Sequence, residues 1–319
     1  MHNEGMNNAF TNRLNKNLRH WSKWARRRGI ECFRVYDRDI PECPVAIDVY
    51  AGVPHVHVYE TRWEADDAEY GAWLRQVRDQ VAETFQVDPT RLAMKVRRRQ
   101  KGQAQYEKTG LEGQEMIVHE DGLAFSVNLH AYLDTGLFLD HRQTRAMVRE
   151  RSRGKRFLNL FAYTGSFTAH AAAGGASESL TLDMSRTYQD WSRRNLELNH
   201  IDPTRHRLEQ VDVMQWMEAA PTLGPRYDLI VLDPPSFSNS KRMDATLDVQ
   251  RDHPWMINRC LGLLSPGGEL FFSNNRRGFR LYEDELAPCE AREITAQTVP
   301  EDFRRSRPHR CWLITRPSA

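Results

Sequence analysis

The spacing of apolar residues changes twice along the chain, and each change predicts a different kind of structure. Near the start, Phe10, Leu14, Leu18 and Trp21 recur every three or four positions, which is the period of a helix with one apolar face. The residues between them are polar and mostly basic. We therefore predict a basic N-terminal helix within residues 1–30.

The next hundred or so residues combine short alternating runs with one helical pattern. Two of the runs are joined by the turn Ala51-Gly-Val-Pro54, and alternation on both sides of such a turn predicts antiparallel strands. The strand-like runs cover residues 32–36, 45–50, 55–59, 92–96, 116–119 and 124–129, and the helical pattern covers residues 66–85. We predict a small α+β domain over residues 31–130.

From residue 156 onward, apolar runs alternate with amphipathic segments. The runs are 157–161, 179–183, 207–211, 227–232 and 269–273, and helical patterns begin near residues 166, 186, 213 and 250. This alternation predicts a mostly parallel sheet wound by right-handed crossovers, so we expect a Rossmann-like α/β domain over residues 131–319. Two last β-like runs, 292–299 and 309–314, predict an antiparallel pair at the sheet edge.

Composition limits the class of protein. The 319 residues contain no apolar run near the length of about 18 residues that a membrane span needs. The start of the chain lacks the apolar core of a secretory signal, so we expect a cytoplasmic location. The five cysteines are scattered and the histidines lack metal-ligand spacing, so we expect neither disulfides nor a metal.

The net charge is only +2, yet the basic residues are concentrated in two segments. Glu31 is the only acid in residues 13–34, and Glu107 is the only acid in residues 91–108. Such segments are typical of nucleic-acid contacts, and equally of solvated helix faces. The RNA-binding candidates are Lys95, Arg97, Arg98, Arg99, Lys101, Lys108, Lys241, Arg276 and Arg277.

The residues that directly follow each apolar run are the candidates for chemistry, because ligands bind at the carboxyl ends of parallel strands. Tyr163-Thr-Gly165 supplies a tight glycine turn, and the helix after it has free N–H groups suited to a carboxylate. The missing G-x-G-x-x-G pattern disfavours a dinucleotide and favours adenosyl-methionine. An ordinary turn between strand and helix has the same pattern.

Two acids follow the next two strands. Asp183 lies 183 − 165 = 18 residues after Gly165, near the interval of about 20 residues at which an acid reaches ribose hydroxyls. Asp212 stands where an adenine amino group needs an acceptor. Capping of the following helices is an equally good interpretation of both positions.

The sharpest signal is Asp233-Pro-Pro-Ser-Phe237, after the fourth run. Two prolines make the turn rigid and remove two donors, and Phe237 can stack on a base. We interpret this segment as a catalytic loop in which Asp233, Pro234 and Phe237 are the catalytic candidates. An Asp-Pro turn at a strand end is the simpler alternative.

Several motifs together resemble one enzyme family. They are Tyr132-Leu-Asp-Thr-Gly-Leu-Phe-Leu-Asp-His-Arg142, Asn159-Leu-Phe-Ala-Tyr-Thr-Gly165, Asp183-Met-Ser185, Asp233-Pro-Pro-Ser-Phe-Ser-Asn-Ser-Lys241, Asp248-Val-Gln-Arg-Asp252 and Ser273-Asn-Asn-Arg-Arg-Gly278. They are similar to the C-terminal half of the bacterial bifunctional 23S rRNA guanine methyltransferases, the half that forms N7-methylguanine. The likeness covers nearly the whole chain.

The resemblance implies a class I methyltransferase fold, S-adenosyl-L-methionine as the donor, and a guanine in the peptidyl-transferase region of 23S rRNA as the target. The substrate would be free rRNA or an assembling large subunit. In that family an RNA-binding module and an N2-guanine methyltransferase precede this half. A separate protein carrying them is an expected partner, unless the chain is a fragment of a fused protein.

The resemblance also implies which residues surround the donor. Arg142 would pair with the donor's carboxylate, and Phe138 would close over the methionine end. The complete set is Phe138, Arg142, Asn159, Phe161, Tyr163, Gly165, Ser166, Asp183, Met184, Ser185, Asp212, Val213 and Asp233.

Three other functions fit parts of the sequence. Cytosine C5 methylation needs a cysteine nucleophile, which related enzymes place in a Ser-Cys-Ser where this chain has Ser273-Asn-Asn275. Guanine N2 methylation uses a similar loop, usually without a residue such as Ser236 before the aromatic residue. A non-catalytic RNA-binding or remodelling module would need only the basic segments.

Overall fold

A computed structural model gives the fold and describes residues 2–59, 67–97, 115–220, 224, 226–238 and 246–317. The chain divides into two compact units. Unit 1 contains Met1–Gly122 and Val127–Thr135, and unit 2 contains Leu123–Ser126 and Gly136–Ala319. The predicted boundary at residues 130 and 131 therefore falls inside a segment of unit 1, and the N-terminal helix also belongs to that unit.

Unit 1 is a four-stranded sheet with two helices. Its elements are α1 (His2–Arg28), β1 (Cys32–Asp37), β2 (Val45–Tyr50), β3 (Val53–Tyr59), α2 (Asp67–Phe85) and β4 (Ala93–Arg97). The strand order is β1-β2-β3-β4, in which the first three strands are antiparallel and β4 runs parallel to β3. Because a parallel neighbour needs a crossover, α2 connects β3 to β4.

The apolar face of α1 lies in the core of unit 1. Phe10, Leu14 and Ala25 are each at most 2% exposed, and the ring of Phe10 meets that of Tyr36 edge-on at 5.2 Å. Burial of a large apolar side chain stabilises a fold by roughly 1.5–3 kcal/mol. These contacts hold a helix whose other face is basic.

β5 (Met116–Glu120) belongs to unit 1 and most of β6 (Leu123–Val127) to unit 2, and the sequence predicted both strands. A single 3₁₀ turn, Leu139–His141, and α3 (Arg142–Arg151) follow. The apolar spacing gave no indication of these last two elements. They matter because they carry side chains to the candidate active site.

Unit 2 is built around a seven-stranded sheet. Its strands are β7 (Arg156–Leu160), β8 (Glu178–Asp183), β9 (His206–Gln210), β10 (Tyr227–Leu232), β13 (Leu264–Asn274), β14 (Glu290–Glu293) and β15 (Arg310–Thr315), with a separate small pair β11 (Phe237–Ser238) and β12 (Leu247–Asp248). Its helices after α3 are α4 (Ser166–Ala173), α5 (Arg186–Leu198), α6 (Val213–Ala219), α7 (Val249–Leu263) and α8 (Thr295–Thr298).

The strand order is β14-β15-β13-β10-β7-β8-β9. The five strands from β13 to β9 are parallel, and β15 is antiparallel to both β13 and β14. This confirms the predicted Rossmann-like sheet with an antiparallel edge. The order reverses beside β7, so the carboxyl ends of β7, β8 and β10 form the switch point at which such sheets bind ligands.

One predicted strand was wrong over part of its length. Of the predicted run 292–299, only Arg292 and Glu293 belong to a strand, which is β14 (Glu290–Glu293). The chain then turns into α8. The reason is a side chain: Oγ1 of Thr295 accepts from the N–H of Cys311 (3.0 Å) and takes the place of a further strand bond. Among the described helices, none is long and apolar enough to cross a membrane.

Candidate active site

The loop after β7 has an unusual backbone. Phe161 and Tyr163 have φ angles of +57° and +53°, a left-handed conformation that costs a residue with a side chain roughly 1–2 kcal/mol. Gly165 follows with φ of +72°. A Cβ at Gly165 would lie 3.0 Å from Cβ of Ser192 in α5, so glycine allows a close approach there. Strain of this kind is typical of functional loops.

Neighbouring groups hold this strained loop in place. The hydroxyl of Ser192 donates to the carbonyl of Tyr163 (3.1 Å), and the N–H of Gly136 donates to the hydroxyl of Tyr163 (2.8 Å). The Tyr163 ring lies 4.8 Å from that of Phe138, which is 40% exposed. The two rings form an aromatic surface at the carboxyl end of β7.

Asp183, at the end of β8, bonds to the β7 loop. Its carboxylate accepts from the N–H groups of Tyr163 (3.0 Å) and Ser185 (2.8 Å). Burial raises the pKa of Asp183 to about 6, although these two N–H groups oppose the rise. Each carboxylate oxygen has a second lone pair. Asp183 can therefore accept from ribose hydroxyls while it fixes the loop.

Asp212 caps α6, which is one of the two interpretations that the sequence left open, and Ser185 rather than Asp183 is the N-cap of α5. Ser185 accepts from a backbone N–H in the first turn of α5, and Asp212 accepts from two in the first turn of α6. Both bonds to Asp212 end on Oδ1, so Oδ2 is the oxygen that faces a ligand, if one binds. Met184 is half-buried and Val213 is buried beside these caps.

Two of the expected donor contacts point elsewhere in the structure. Asn159 is 1% exposed, and its amide donates to Oγ1 of Thr168 (3.0 Å), which ties β7 to α4. Arg142 is 5% exposed and donates to Asp302 (2.6 Å), whose side chain is fully buried. In this structure each of these two side chains is buried on a partner of its own, and their direct donor contacts stay a prediction.

The first turn of α4 offers a place for an anion. Gly165 is its N-cap and no side chain caps it, and the first helical bond runs from Ala169 N to Gly165 O (3.0 Å). The preceding N–H groups, beginning with that of Ser166, have no partner within the helix and attract a carboxylate. With Asp183 and Asp212 as acceptors, the set has the polarity that the carboxylate, ribose and adenine of S-adenosyl-L-methionine require.

Asp233 follows β10 and lies between a hydroxyl that bonds to it and a histidine. The hydroxyl of Ser273, at the end of β13, donates to Oδ1 (2.6 Å), and Nε2 of His141 lies 3.5 Å from Oδ2. Ser273 and His141 are 2% and 5% exposed, whereas the side chain of Asp233 is 28% exposed. The carboxylate is therefore fixed by the buried hydroxyl of Ser273 and partly open to solvent.

His141 is itself supported by a stacked histidine. The rings of His141 and His309 are 4.2 Å apart and inclined by 12°, and His309 contacts Asp140 (2.9 Å) and Thr298 (3.1 Å). Burial lowers the pKa of His141, and the charge of His309 would lower it further. The imidazole beside Asp233 is therefore neutral at pH 7.

Asp140, His141 and His309 are close enough together to be considered as metal ligands. The geometry argues against one ion bound by both rings. An imidazole donates its lone pair in the plane of the ring, and the lone pairs of two stacked rings lie in parallel planes that do not meet. Instead, the bond between His309 and Asp140 holds one ring of the stacked pair, and the other ring, His141, lies beside Asp233.

Further bonds join the Asp233 loop to the segment after β13. The hydroxyl of Ser236 donates to Oδ1 of Asn275. Arg276 pairs with Asp248, which is also the N-cap of α7. Together with the bond from Ser273 to Asp233, these contacts form three links that we call the loop bridges.

The aromatic residue of this loop remains in solvent. Phe237 is 52% exposed, although its backbone pairs with Asp248 of β12, while Pro234 is buried. A large aromatic side chain left exposed on a fixed backbone is available for contact with a partner. The structure therefore brings Asp233 and Phe237 into one short, anchored loop.

The predicted RNA-binding residues differ in how accessible their side chains are. Lys95 is 7% exposed in β4 beside His57 of β3, with its ammonium buried, so this structure does not present it at the surface and its RNA contact stays a prediction. Arg276 is paired with Asp248, so its charge is already partly neutralised, whereas Arg277 is exposed. The side chain of Arg97, and all of Arg98, Arg99, Lys101, Lys108 and Lys241, lie outside the described residues.

Sequence reasoning missed Ser273 and His141 as neighbours of Asp233. His141 lies within the motif that carried the family resemblance, and this was the available signal. It also missed Cys311, which pairs with Ser273 across β15 and β13. Cys311 is fully buried, and burial together with Asp233 raises the pKa of its thiol, so it remains an unreactive thiol.

Known proteins share this architecture. Residues 46–301 match the family model for S-adenosylmethionine-dependent methyltransferases. Ribosomal RNA large subunit methyltransferase K of Neisseria meningitidis is 52% identical over 309 residues, covering 97% of this chain and 87% of that protein. Ribosomal RNA large subunit methyltransferase K/L of Allochromatium vinosum is 50% identical over 314 residues, covering 97% of this chain and 43% of that protein. The crystal structure of SMU.776 complexed with SAH superposes with a TM-score of 0.72 at 25% identity, covering 96% of this chain and 81% of that chain.

Proposed function

Because the chain belongs to the S-adenosylmethionine-dependent methyltransferase family, we propose that it methylates N7 of a guanine in the peptidyl-transferase region of 23S rRNA. The observation that carries the proposal is the Asp233 carboxylate, fixed by Ser273 and partly open to solvent, in the same loop as the exposed Phe237. The names of the relatives support large-subunit rRNA as the substrate class.

The donor, when bound, supplies a methyl group on a positively charged sulfur. The N–H groups at the start of α4 would hold its carboxylate, and Asp183 and Asp212 would accept from its ribose and adenine. Tyr163 and Phe138 form the aromatic surface beside them. These contacts position the donor and need no change in the strained loop, which Asp183 already fixes.

The chain's own contribution to the reaction is positioning and charge. Guanine N7 has a lone pair, so no proton has to be removed before it attacks a methyl carbon. Positive charge grows on the purine as the bond forms, and Asp233 stabilises that charge. Because the hydroxyl of Ser273 fixes the carboxylate beforehand, it does not reorganise during the reaction. Phe237 would stack on the target base.

Chemistry on cytosine carbon is disfavoured by the thiols. Cys311, next to Ser273, is fully buried, and its raised pKa keeps it protonated. Cys260 is fully buried as well, and burial also raises its pKa. A nucleophilic cysteine needs an exposed thiolate. A nitrogen target requires no such group.

The partner of the chain is proposed from its relatives. The chain matches 43% of the Allochromatium K/L protein. The remainder of such a protein, which we expect to carry N2-guanine methylation and RNA binding, or a separate protein equivalent to it, would act on the same rRNA. The substrate would be free 23S rRNA or an assembling large subunit.

Nucleoside analysis tests the proposal. Large-subunit rRNA that lacks the modification is incubated with the protein and S-adenosyl-L-methionine, digested, and analysed by mass spectrometry. N7-methylguanosine is the expected product, and Asp233→Ala is expected to form none while it still folds and binds the donor. N2-methylguanosine, 5-methylcytidine, or wild-type turnover by Asp233→Ala would overturn the assignment. Absence of donor binding in calorimetry would favour a non-catalytic RNA-binding module.

A further inference from the structure

The exposed face of α1 carries one continuous row of cations. Lys16, Arg19, Lys23, Arg26 and Arg27 are all exposed, and their spacing of three or four residues places them on one face of the helix. We call these five residues the basic stripe. From Lys16 to Arg27 it extends about 16 Å at the helical rise of about 1.5 Å per residue.

Among the described residues, no acid neutralises the charges of the basic stripe. Arg13, outside the stripe, lies 3.7 Å from Asp39. In the described part of the chain, none of the five stripe residues has an ion pair of this kind. A row of uncompensated cations on a protein with a net charge of only +2 is suited to an extended polyanion.

An apolar cavity of about 280 Å³ lies directly beside the stripe. Leu18, Ser22 and Arg26 of α1 line one side of it, and Phe33 of β1 and Phe85 of α2 contribute aromatic rings. Arg26 belongs to both features, so the cavity opens next to one of the cations. The size, the rings and the adjacent charge suit a flat aromatic group attached to a phosphate.

The burial of α1 decides between two kinds of polyanion. A basic amphipathic helix is also typical of a membrane surface, where its apolar face enters the lipid. Here that face is occupied, because Phe10, Leu14 and Ala25 are at most 2% exposed in the core of unit 1. The exposed cations and the cavity therefore remain accessible to a partner.

We infer that α1 binds single-stranded RNA, with the phosphates along the basic stripe and one unstacked base in the cavity. Single-strand binding sites combine these two elements, a positive track for the backbone and aromatic side chains for the bases. The inference rests on the proposed function in one respect, namely that the RNA bound by α1 is the 23S rRNA that the protein methylates. It adds a second contact surface, in unit 1, to the residues that perform the chemistry.

Direct binding measurements test the stripe. Fluorescence anisotropy of a labelled single-stranded RNA of about 12 nucleotides, without donor, is recorded over a range of salt concentrations. Each phosphate contact contributes about 0.7 to the logarithmic salt slope. Lys16→Ala/Lys23→Ala is therefore expected to lower the slope by about 1.4 and to weaken binding about 25-fold at about 0.1 M salt.

A matched control keeps the net charge equal. Arg153→Ala/Arg207→Ala removes the same charge from exposed positions, one preceding β7 and one within β9, away from the carboxyl ends of the strands. It is expected to keep the wild-type slope and affinity. Wild-type binding by the stripe variant, or an equal loss in the control, would overturn the inference.

The cavity has its own measurement. RNA containing 2-aminopurine reports the environment of a single base through its fluorescence. The wild-type protein is expected to change that fluorescence, and Ser22→Phe, which fills the cavity, is expected to abolish the change while the salt slope persists. Phe85→Leu, which removes a ring but keeps an apolar side chain, is expected to reduce it. If the fluorescence change persists in both variants, no base binds in the cavity and that part of the proposal is wrong.

Two further results separate this inference from its rivals. Vesicles with anionic lipid that bind through the stripe, with RNA affinity unchanged in the stripe variant, would assign α1 to a membrane instead. Methyl transfer to N7 with RNA binding that ignores the stripe would overturn this inference alone. RNA binding through the stripe with a product other than N7-methylguanosine would overturn the proposed function alone.

Discussion

Removal of the hydroxyl that holds Asp233 is expected to slow methyl transfer about tenfold and to leave donor binding unchanged. In Ser273→Ala the carboxylate loses its hydrogen bond of 2.6 Å, and bonds to charged groups contribute about 1.5–3 kcal/mol. Because the side chain of Asp233 is 28% exposed, water replaces part of this bond. The lower end of the range applies, and about 1.4 kcal/mol corresponds to a tenfold fall in kcat/KM.

The assay measures kcat/KM for rRNA at saturating donor, with calorimetry of the donor in parallel. The control is Ser265→Ala, at the opposite end of β13, where the hydroxyl accepts from Arg156 (2.9 Å). Both variants remove one hydroxyl from the same strand, and only the hydroxyl of Ser273 bonds to Asp233. A difference in kcat/KM between them therefore reports on that bond. Wild-type kcat/KM in Ser273→Ala, or an equal fall in Ser265→Ala, would refute the reasoning.

Three other expectations follow from the site. The pKa of Asp183 is raised to about 6, and its charged form accepts from ribose, so donor affinity is expected to fall about tenfold between pH 7 and pH 5. Calorimetry of the donor measures this fall, and the same pH dependence in Asp183→Asn would contradict the assignment. Phe237→Ala is expected to raise KM for rRNA roughly 5- to 150-fold, because stacking contributes about 1–3 kcal/mol, and to leave the Tm unchanged. A KM equal to that of the wild type would count against base stacking. Arg142→Met removes the guanidinium that lies 2.6 Å from the fully buried carboxylate of Asp302 and is expected to lower the free energy of unfolding by about 3–5 kcal/mol. If Arg142→Met/Asp302→Leu fails to recover most of this loss in denaturant unfolding, the pair is not its cause.

The sequence predicted the elements of the fold well because they follow from local periodicity. Every strand of the parallel sheet was found from an apolar run between two amphipathic segments, and the antiparallel edge from two such runs at the end. The partial failure at residues 292–299 came from Thr295, whose hydroxyl replaces a backbone partner. Apolar spacing alone does not show such a replacement.

The site was predicted less completely because its contacts join distant parts of the chain. The position of Asp233 after a strand was visible in the sequence, but its anchor Ser273 is 40 residues away. Arg142 looked like a donor ligand because of its motif, and its buried partner Asp302 lies 160 residues further on. Tertiary packing decides which polar groups are satisfied internally and which remain for a ligand.

The loop bridges make the residues of two loops depend on one another during evolution. Asp233, Ser236 and Asp248 are each bonded across to the segment that begins at Ser273, so a substitution on one side leaves a broken pair on the other. Among diverging relatives, these positions are therefore expected to change together. An engineer who grafts a cysteine-bearing segment in place of residues 273–275 to reach carbon chemistry has to transplant the Asp233 loop with it.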